Sequence, residues 1–377
     1  MSFTICISHE DTTLYNLREE WIELHESSTA RGIYLTWQWV NLWWQHFSDS
    51  GHLWLLLARD DHEQLVGIAP LMRVKHKPKY GLPWRQLQFI GASSPCEHLD
   101  FIIKPGLEAE IIPAFLDTIM QHKSEWDVVH LSRLIDGSPT LEILEKSGYD
   151  WEETEPLVAP YVALPDSWDA YFASLSKNKR WKQRRFRRRL DEEHPDGWSF
   201  SVICNQEDLQ ATADIDAMMD ELIQLHQSRW EEQGEDGAFG SERLVAFHHA
   251  AVHMFLEQGW LRLFRLIIAG KTAAMLYAYQ YRGRVYHFAT GIDSSMSHLE
   301  PGHLMNEMAI AHSINEGNDE YDFLWGEENY KYSWGATDRL DHVRELINNP
   351  RVKVQRRAVS TLRKIKLRLQ NGEEQAE

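Results

Sequence analysis

The sequence predicts an α/β (α+β) protein built from two tandem units, each a mixed sheet flanked by helices. Its 377 residues are enough for two domains, each with a core of its own. Its apolar content of 43% and charged content of 25% are those of a folded globular chain. The same order of strands and helices can be read in both halves, which indicates an internal duplication.

The second half has the clearer pattern. Short glycine-containing turns separate three β-rich segments, which is typical of an antiparallel meander. A polar loop, an apolar-periodic helix and a further strand follow, and this strand–loop–helix–strand order predicts a parallel pairing. The predicted elements are the strands Leu261–Ile268, Ala273–Tyr281 and Val285–Ile292, the loop Asp293–Pro301, the helix Gly302–Asn315 and the strand Tyr321–Trp325.

The first half repeats this order less regularly. Its predicted elements are the strands Leu53–Ala58, Leu65–Val74, Gln86–Ile90 and Leu99–Ile103, the helix Ile111–His122 and the strand Trp126–Leu131. Each half also begins with an apolar-periodic helix, Leu14–His25 in the first and Leu209–Trp230 in the second. We therefore predict an N-terminal unit at 1–164, a basic connecting helix at 165–197, a C-terminal unit at 198–350 and a basic C-terminal helix and tail at 351–377.

The net charge of −18 is unevenly distributed. Residues 177–189 hold nine Lys and Arg and no acid, and residues 351–368 hold eight and no acid. The rest of the chain has 22 basic residues and all 57 acidic ones, so it carries a net charge of −35. This excludes a uniformly basic nucleic-acid coat. Two local basic patches remain, and they suit a phosphate-bearing ligand.

Cysteine usage and hydropathy predict a cytoplasmic protein. The three cysteines are far apart and form no CxxC pair, as expected in a reducing compartment. The N-terminus has no basic region followed by a long apolar one, so we expect no secretory signal. The most apolar stretch, 261–281, contains Arg262, Arg265 and Lys271 and is too charged to be a transmembrane segment.

The basic segment between the halves reads as one amphipathic helix. Phe172, Leu175, Phe186 and Leu190 share one face, and Trp181, Arg184, Arg185 and Arg188 lie opposite. The charged face can bind a nucleic-acid backbone with stacking on the indole, a pyrophosphate, or an anionic lipid surface through peripheral membrane contact. The alternative is a solvated face or a clamp against the acidic body.

Two further segments carry candidate chemistry. The loop that contains Ser297, His298, Gly302 and His303 leads into a helix, whose unpaired amides can bind an anion; the alternative is an ordinary helix cap. The segment 321–337 begins as an apolar strand and continues with carboxylates, Tyr330, Lys331 and Trp334. Ligands of α/β sheets bind just past the carboxyl ends of strands, so a functional site is expected here; the alternative is a solvated loop with aromatic anchors.

No familiar metal-binding or nucleotide-binding motif is present. The sequence lacks a Walker loop, a GxGxxG fingerprint, a GxSxG elbow and an HExxH helix. His249 and His253 have the i, i+4 spacing that can place two imidazoles on one ion. Without a third ligand in the sequence pattern we predict a plain helix surface there and no metal.

Several segments together resemble a known family. They are SLSKNKRWKQRRFRRRL (174–190), HQSRW (226–230), GWLRLFRL with AGKTAA (259–274), EPGHLMNEMAIAH (300–312) and YDFLWGEENYKYSWGA (321–336), with weaker matches at 36–44, 67–71 and 98–105. These resemble the GNAT-type acetyltransferases associated with bacterial cellulose and exopolysaccharide synthesis. That family is related to the Fem peptidoglycan aminoacyltransferases, which carry two GNAT-like units in one chain.

The resemblance implies transfer of an acyl group from a thioester, acetyl-CoA or another acyl-CoA, to an amine or hydroxyl. The donor would lie between splayed strands at 285–292 and 321–325, and its pyrophosphate would meet the loop 297–303. In the Fem relatives, a lysine in a comparable late motif stabilises charge at the reacting carbonyl, a role that falls here on Lys331. Tyr330 is then the candidate general acid and Glu327 the candidate base.

The prediction is therefore an acyltransferase with a sugar- or lipid-linked acceptor in envelope or exopolysaccharide metabolism. The acceptor would bind at Trp181, Arg184, Arg185, Arg188 and Trp334. Two alternatives stay open: a Fem-like transferase that uses aminoacyl-tRNA, and a non-catalytic GNAT-like binding module. The second alternative is favoured by the phosphate loop, which has only Gly302 where the family pattern Q/R-x-x-G-x-G/A has more glycine.

Overall fold

A computed structural model of the chain describes residues 3–92, 96–210, 214–234 and 237–359. The chain divides into two compact units. The first comprises Met1–Leu157 and Asp341–Glu377, and the second comprises Val158–Leu340. The predicted connecting segment 165–197 lies within the second unit, and the chain from residue 341 onward is grouped with the first.

The strands are β1 Phe3–Ser8, β2 Gly51–Leu53, β3 Leu55–Asp60, β4 Leu65–Ala69, β5 Leu71–His76, β6 Trp84–Phe89, β7 Ile102–Ile103, β8 Val128–Ile135, β9 Trp151–Ala163, β10 Trp198–Ile203, β11 Leu261–Ile268, β12 Lys271–Tyr281, β13 Arg284–Ile292, β14 Glu320–Asp322 and β15 Thr337–Ile347. The α-helices are α1 Asp11–Asn16, α2 Arg18–Ser27, α3 Trp37–Phe47, α4 Glu108–Gln121, α5 Pro139–Lys146, α6 Trp168–Ser174, α7 Lys177–Glu193, α8 Gln206–Gln210, α9 Ile215–Gln233, α10 Glu242–Glu257, α11 Pro301–Asn315 and α12 Asn329–Ser333. Short 3₁₀ helices span Ile33–Leu35, Ser48–Ser50 and Ser294–Leu299.

The second unit confirms the predicted meander and crossover. Its strands lie in the order β10-β11-β12-β13-β14-β9. The first four are antiparallel neighbours, β14 is parallel to β13, and the end of β9 pairs antiparallel with β14. The helix α11 makes the crossover between β13 and β14, and its apolar residues pack with those of β11 and β12 in one core. This sheet holds the predicted site.

The helix α9 packs closely on β13 at Gly291. A Cβ atom built on Gly291 would lie 2.7 Å from Leu225 Cβ and 2.9 Å from the Leu222 carbonyl oxygen. Both distances are shorter than real carbon contacts allow, and neither neighbour is a flexible side-chain end. Glycine is therefore required for this helix to approach the strand.

The first unit repeats the pattern. Its sheet order β15-β8-β6-β5-β2 contains an antiparallel pair β5–β6, a parallel pair β6–β8 and an antiparallel pair β8–β15. The helix α4 lies in the crossover between β6 and β8. A second sheet in this unit has the order β1-β3-β4-β7. The predicted pair of units, each a mixed sheet flanked by helices, is confirmed.

Three elements that the sequence predicts as continuous in the first unit are each divided in two. The predicted strand Leu65–Val74 is two strands in different sheets, because Pro70 has no N–H to donate to a ladder. The predicted strand Leu53–Ala58 divides at Trp54, whose N–H donates to the Leu71 carbonyl. The predicted helix Leu14–His25 divides at Leu17 into α1 and α2.

The predicted single basic helix is also two helices, α6 and α7. Ser176 caps α7 and accepts a hydrogen bond from the Lys179 N–H, so a new helix begins there. The predicted faces of α7 are confirmed: Phe186 and Leu190 are buried, and Trp181 is 55% exposed.

The predicted helix Leu209–Trp230 begins later, as α9, at Ile215. Of the predicted C-terminal helix, residues 350–359 are helical and residues 360–377 lie outside the described part of the chain. No helix in the described part of the chain is long and apolar enough to cross a bilayer.

Candidate active site

The strands β13 and β14 separate at the position predicted for the donor. Three residue pairs join them, the last being Tyr286 with Asp322. β13 then continues to Ile292, whereas β14 ends. It ends because Asp322 Oδ1 accepts the Leu324 N–H at 2.8 Å and Leu324 has a positive φ of 58°. The predicted strand 321–325 is therefore shorter, and the second half of β13 has no pairing with β14.

The turn that follows β14 is held by Lys331. Its Nζ donates to the carbonyl oxygens of Leu324, Trp325 and Gly326 at 3.0, 2.8 and 3.0 Å. It also lies 2.9 Å from Glu328 Oε2. Lys331 is only 2% exposed, so these carbonyls would otherwise be poorly solvated. The ammonium thus stabilises the backbone of the turn 324–326, directly after β14.

Tyr330 and His287 lie near the point where the pairing of β13 with β14 ends. His287 is the first β13 residue past the last pair with β14, and its ring centroid is 6.5 Å from that of Tyr330. His287 Nδ1 lies 2.9 Å from the Tyr321 hydroxyl, and burial together with the charge of Lys331 lowers the pKa of His287 to about 3. His287 is therefore neutral at physiological pH. Glu327 is exposed, two residues before α12.

The predicted phosphate loop uses most of its own amides internally. Residues Ser294–Leu299 form a 3₁₀ helix, so Ser297 and His298 lie in regular structure. The N–H groups of Met296, Glu300 and His303 donate to carbonyls of the same segment. Pro301 has no N–H. A Cβ on Gly302 would lie 2.7 Å from Ile292 Cδ1, the end of a flexible side chain of β13.

The helix α7 covers this loop and the first turn of α11. Gln183 donates to the His303 carbonyl at 3.1 Å, and the Phe186 ring stacks on His303 at a centroid distance of 5.4 Å. The Arg189 guanidinium donates to the His298 carbonyl. Helix α7 is thus packed against the elements in which the sequence placed the donor's phosphates.

Lys179 joins three of these elements and was not singled out from the sequence. Its Nζ lies 3.2 Å from His303 Nδ1, 3.3 Å from Ser333 Oγ and 3.5 Å from the centre of the Trp334 ring. Burial lowers the pKa of Lys179 to about 7, and burial with the nearby lysines lowers that of His303 to about 4. Two features could have indicated Lys179: it follows the helix cap Ser176 by three residues and lies on the buried face of α7.

Trp334 is completely buried. Tyr171 donates its hydroxyl hydrogen to the Trp334 carbonyl at 2.6 Å, and the Lys179 ammonium covers one face of the indole. A ligand therefore meets Trp334 only if Lys179 or the helix α7 moves. The structure brings together His303 and Trp334 from the predicted set, with Lys179 between them.

The four predicted residues of α7 form two neighbouring pairs. Arg184 and Arg188 line a groove of about 420 Å³ together with Trp168 and Phe172 of α6. The Arg184 guanidinium lies 5.3 Å from the centre of the Phe172 ring. Trp181 is not among the residues of this groove, and Arg185 lies over its ring at 5.6 Å. The groove thus combines an aromatic wall with arginines, and its lining also includes the carboxylates of Asp191, Glu192 and Glu307.

His249 and His253, which the sequence left as a helix surface, face two carboxylates of α9. His249 Nδ1 lies 2.9 Å from Asp216 Oδ1 and His249 Nε2 lies 3.1 Å from Asp220 Oδ1. His253 Nε2 lies 3.1 Å from Asp216 Oδ2. These pairs connect α9 with α10.

The fold and these contacts define a class of protein. Residues 177–332 match the family model described as "Acetyltransferase (GNAT) domain", so the second unit carries a GNAT-type transferase domain. This match covers β10–β14 and α7–α12, and thus every predicted site residue except Trp334. No curated protein is significantly similar to the chain in sequence.

Solved structures share the fold of the whole chain. FemX superposes with a TM-score of 0.63 at 14% identity, over 93% of this chain and 98% of FemX. A conserved protein of unknown function from Bacteroides thetaiotaomicron gives 0.57 at 12% identity, over 92% and 100%. L-PGS from Bacillus licheniformis gives 0.51 at 10% identity, over 88% and 92%. The fold of this chain therefore agrees with that of these solved structures.

Proposed function

We propose that this protein is a cytoplasmic acyltransferase. It would transfer an acyl group from a thioester donor, acetyl-CoA or another acyl-CoA, to an amine or hydroxyl of a sugar- or lipid-linked precursor. Envelope or exopolysaccharide metabolism, the setting of the family that the sequence resembles, would use such a reaction. The observation that carries the proposal is the separation of β13 from β14 beside Tyr330, within a GNAT-type domain.

The proposed reaction assigns one role to each side chain. Glu327 takes a proton from the acceptor as its nitrogen or oxygen attacks the thioester carbonyl. The new C–N or C–O bond forms, the C–S bond breaks, and Tyr330 gives its proton to the departing sulfur. Positive charge near the carbonyl oxygen stabilises the intermediate, and Lys331 supplies it.

The contacts of Lys331 refine its role. Its ammonium already donates to three carbonyls and contacts Glu328. A direct hydrogen bond to the substrate requires one of these partners to be exchanged. We therefore infer that Lys331 acts first as a positioning residue, which fixes the turn 324–326, and contributes its charge from there.

The acceptor's phosphates would bind on α7. Arg184, Arg185 and Arg188 are exposed cations, and Arg184 lies beside the ring of Phe172 in the groove. A sugar or lipid precursor that carries phosphate has this combination of anionic and less polar parts. This assignment is supported by the positive charge of the three arginines and by their exposed position on α7.

A second candidate is favoured by the loop 294–303. Its amides of Met296, Glu300 and His303 are used within the segment, and α7 packs over it. Such a loop offers few free donors to a coenzyme pyrophosphate. A transferase that takes its acyl group from aminoacyl-tRNA, whose phosphates bind elsewhere, does not need that cradle. A non-catalytic binding module does not need it either.

Thermal unfolding with coenzyme A, acetyl-CoA and a pyrophosphate control tests the donor. A ligand at 100 times its Kd stabilises the native state by about 2.7 kcal/mol. In a domain of 150–250 residues each kcal/mol raises Tm by about 2–4 °C. A rise specific to the coenzymes supports the thioester donor. No rise at millimolar coenzyme contradicts it.

Aminoacyl-tRNA is then the next ligand to test. Binding that weakens steeply with salt, together with transfer of the amino acid, supports the second candidate. Failure to bind either donor would support the remaining possibility, a non-catalytic binding module.

A further inference from the structure

Cys204, His312 and Glu316 form a cluster in the second unit that the proposed reaction does not use. Cys204 directly follows β10, His312 lies in the last turn of α11, and Glu316 is the C-cap of that helix. His312 and Glu316 are four residues apart and so lie on one face. One donor atom from each residue lies within 4.8 Å of the other two. His312 Nε2 and Glu316 Oε2 are 3.4 Å apart.

The donor atoms of this cluster are available to bind a metal ion. His312 Nε2 is buried and makes no hydrogen bond of good geometry with the described residues. Burial raises the pKa of the Cys204 thiol to about 11, so the thiol keeps its proton in the metal-free protein. A thiol, an imidazole nitrogen and a carboxylate held together in this way are the donors of zinc sites.

Arg262 orients the carboxylate. Its Nε donates to Glu316 Oε2 at 2.8 Å, and its terminal nitrogens bond to Gln280 and to the Gly259 and Leu261 carbonyls. The guanidinium is thus fixed by β11, β12 and the turn before β11. It donates one hydrogen bond to Glu316 Oε2, the oxygen that faces His312 Nε2, and a carboxylate oxygen has a second lone pair for an ion. Carboxylate ligands of metals are commonly held by such an outer hydrogen bond.

We propose that Cys204, His312 and Glu316 form a binding site for a zinc-class divalent cation, with a fourth position open to water. Sulfur and imidazole ligands favour Zn²⁺ or Co²⁺ over Mg²⁺ and Ca²⁺, which prefer oxygen. The C-terminal end of α11 carries a partial negative charge and adds to the attraction. The site links the edge strand β10 to the end of α11.

Binding of the metal ion requires the Cys204 sulfur to move closer to the other two donor atoms. Zinc–sulfur and zinc–nitrogen bonds of about 2.3 and 2.0–2.1 Å place tetrahedral ligands about 3.5 Å apart. The His312–Glu316 separation of 3.4 Å already meets this value. The Cys204 sulfur needs to approach by about 1.3 Å at most, given the 4.8 Å limit. The thiol releases its proton on coordination, so binding strengthens as pH rises.

Titration of the chelator-treated full-length protein with Co²⁺ tests the proposal. We expect one equivalent to produce the near-ultraviolet thiolate-to-cobalt absorption and the visible bands of tetrahedral cobalt, and Zn²⁺ to displace both. Cys204→Ser and His312→Gln should each weaken binding by a factor of about 100 or more, since changes to the outer partners alone cost 10- to 100-fold. Neither readout depends on catalysis.

The chain supplies two matched controls. Cys6→Ser removes an exposed cysteine outside the cluster, and His249→Ala with His253→Ala removes the exposed histidine pair. Both controls should retain the cobalt spectrum. Circular dichroism without metal checks that Cys204→Ser is folded, and Cys204→Ala serves as the second variant. The proposal is overturned if no thiolate absorption appears, if it survives in both Cys204 variants, or if only the histidine double variant abolishes it.

Discussion

The Lys179 ammonium lies 3.5 Å from the centre of the Trp334 ring, and this contact joins the start of α7 to the end of α12. The same nitrogen lies 3.2 Å from His303 Nδ1 in the first turn of α11. One buried amine therefore contacts all three elements that flank the candidate site. The indole face compensates part of the loss of hydration that a buried cation suffers.

The buried amine should make stability depend on pH. In the unfolded chain Lys179 has an ordinary pKa near 10.4, whereas burial lowers it to about 7 in the folded protein. Between these values the unfolded state binds the extra proton, so the free energy of unfolding rises with pH, by at most about 1.4 kcal/mol per pH unit. Urea unfolding at pH 7, 8 and 9 should show a steeper rise for wild type than for Lys179→Met. Lys177→Met, at an exposed position of α7, should keep the wild-type slope; equal slopes in all three proteins would refute the assignment.

Loss of Lys331 should affect folding and turnover together. Lys331→Ala removes the ammonium that donates to the carbonyls of Leu324, Trp325 and Gly326, at about 1–3 kcal/mol for each buried group that stays unsatisfied. Turnover should fall by about 10²- to 10³-fold if the positive charge acts at the carbonyl oxygen. Tm and kcat are measured on the same preparation. A variant with wild-type Tm and wild-type kcat would exclude both roles.

Substitution of Tyr330 should affect catalysis without affecting folding. Tyr330→Phe keeps the ring that packs near Phe323 and His287 and removes only the hydroxyl. We expect Tm to change little and kcat to fall by about 10²- to 10⁴-fold, the usual contribution of a general acid. Tyr332→Phe, two residues away with its hydroxyl on Asp338, is the matched control and should retain activity. If Tyr330→Phe turns over like wild type, the general acid is another group.

The two residue pairs of α7, Arg184 with Arg188 and Arg185 with Trp181, can be compared directly. Charge reversal at Arg184 and Arg188 should raise the acceptor KM more than 10-fold, because each charged hydrogen bond to phosphate contributes about 1.5–3 kcal/mol. kcat at saturating acceptor should stay near the wild-type value. Arg185→Glu tests the pair formed with Trp181. An acceptor KM that none of these changes alters would reject α7 as the acceptor's phosphate site.

Gly291 and Gly302 should respond differently to alanine. In Gly291→Ala the new methyl group meets the α9 backbone and Leu225 Cβ, so we expect a loss of about 1–3 kcal/mol. In Gly302→Ala it meets the end of the flexible Ile292 side chain, which can rotate away. Guanidinium unfolding of the two variants measures this difference. Equal losses of unfolding free energy in the two variants would mean that α9 moves away from the new methyl group as easily as the Ile292 side chain does.

Much of the fold could be predicted from local patterns. Short glycine-containing turns between β-rich segments identified β11–β13 to within about two residues, because the turn residues act locally. The order helix, loop, strand predicted the parallel pair β13–β14. The breaks at Pro70 and Ser176 were missed, although each depends on a single residue whose effect is local.

The sequence by itself determined that the chain is a duplicated α/β protein, that α7 is basic and amphipathic, and that aromatic, acidic and basic residues follow β14. These properties are set by composition, periodicity and chain order. Only the tertiary structure decided that Lys331 bonds to three carbonyls, that α7 packs over the predicted phosphate loop, and that Lys179 lies between His303 and Trp334. Such relationships join residues as far as 155 positions apart, and burial, which no local pattern contains, determines their charge and strength.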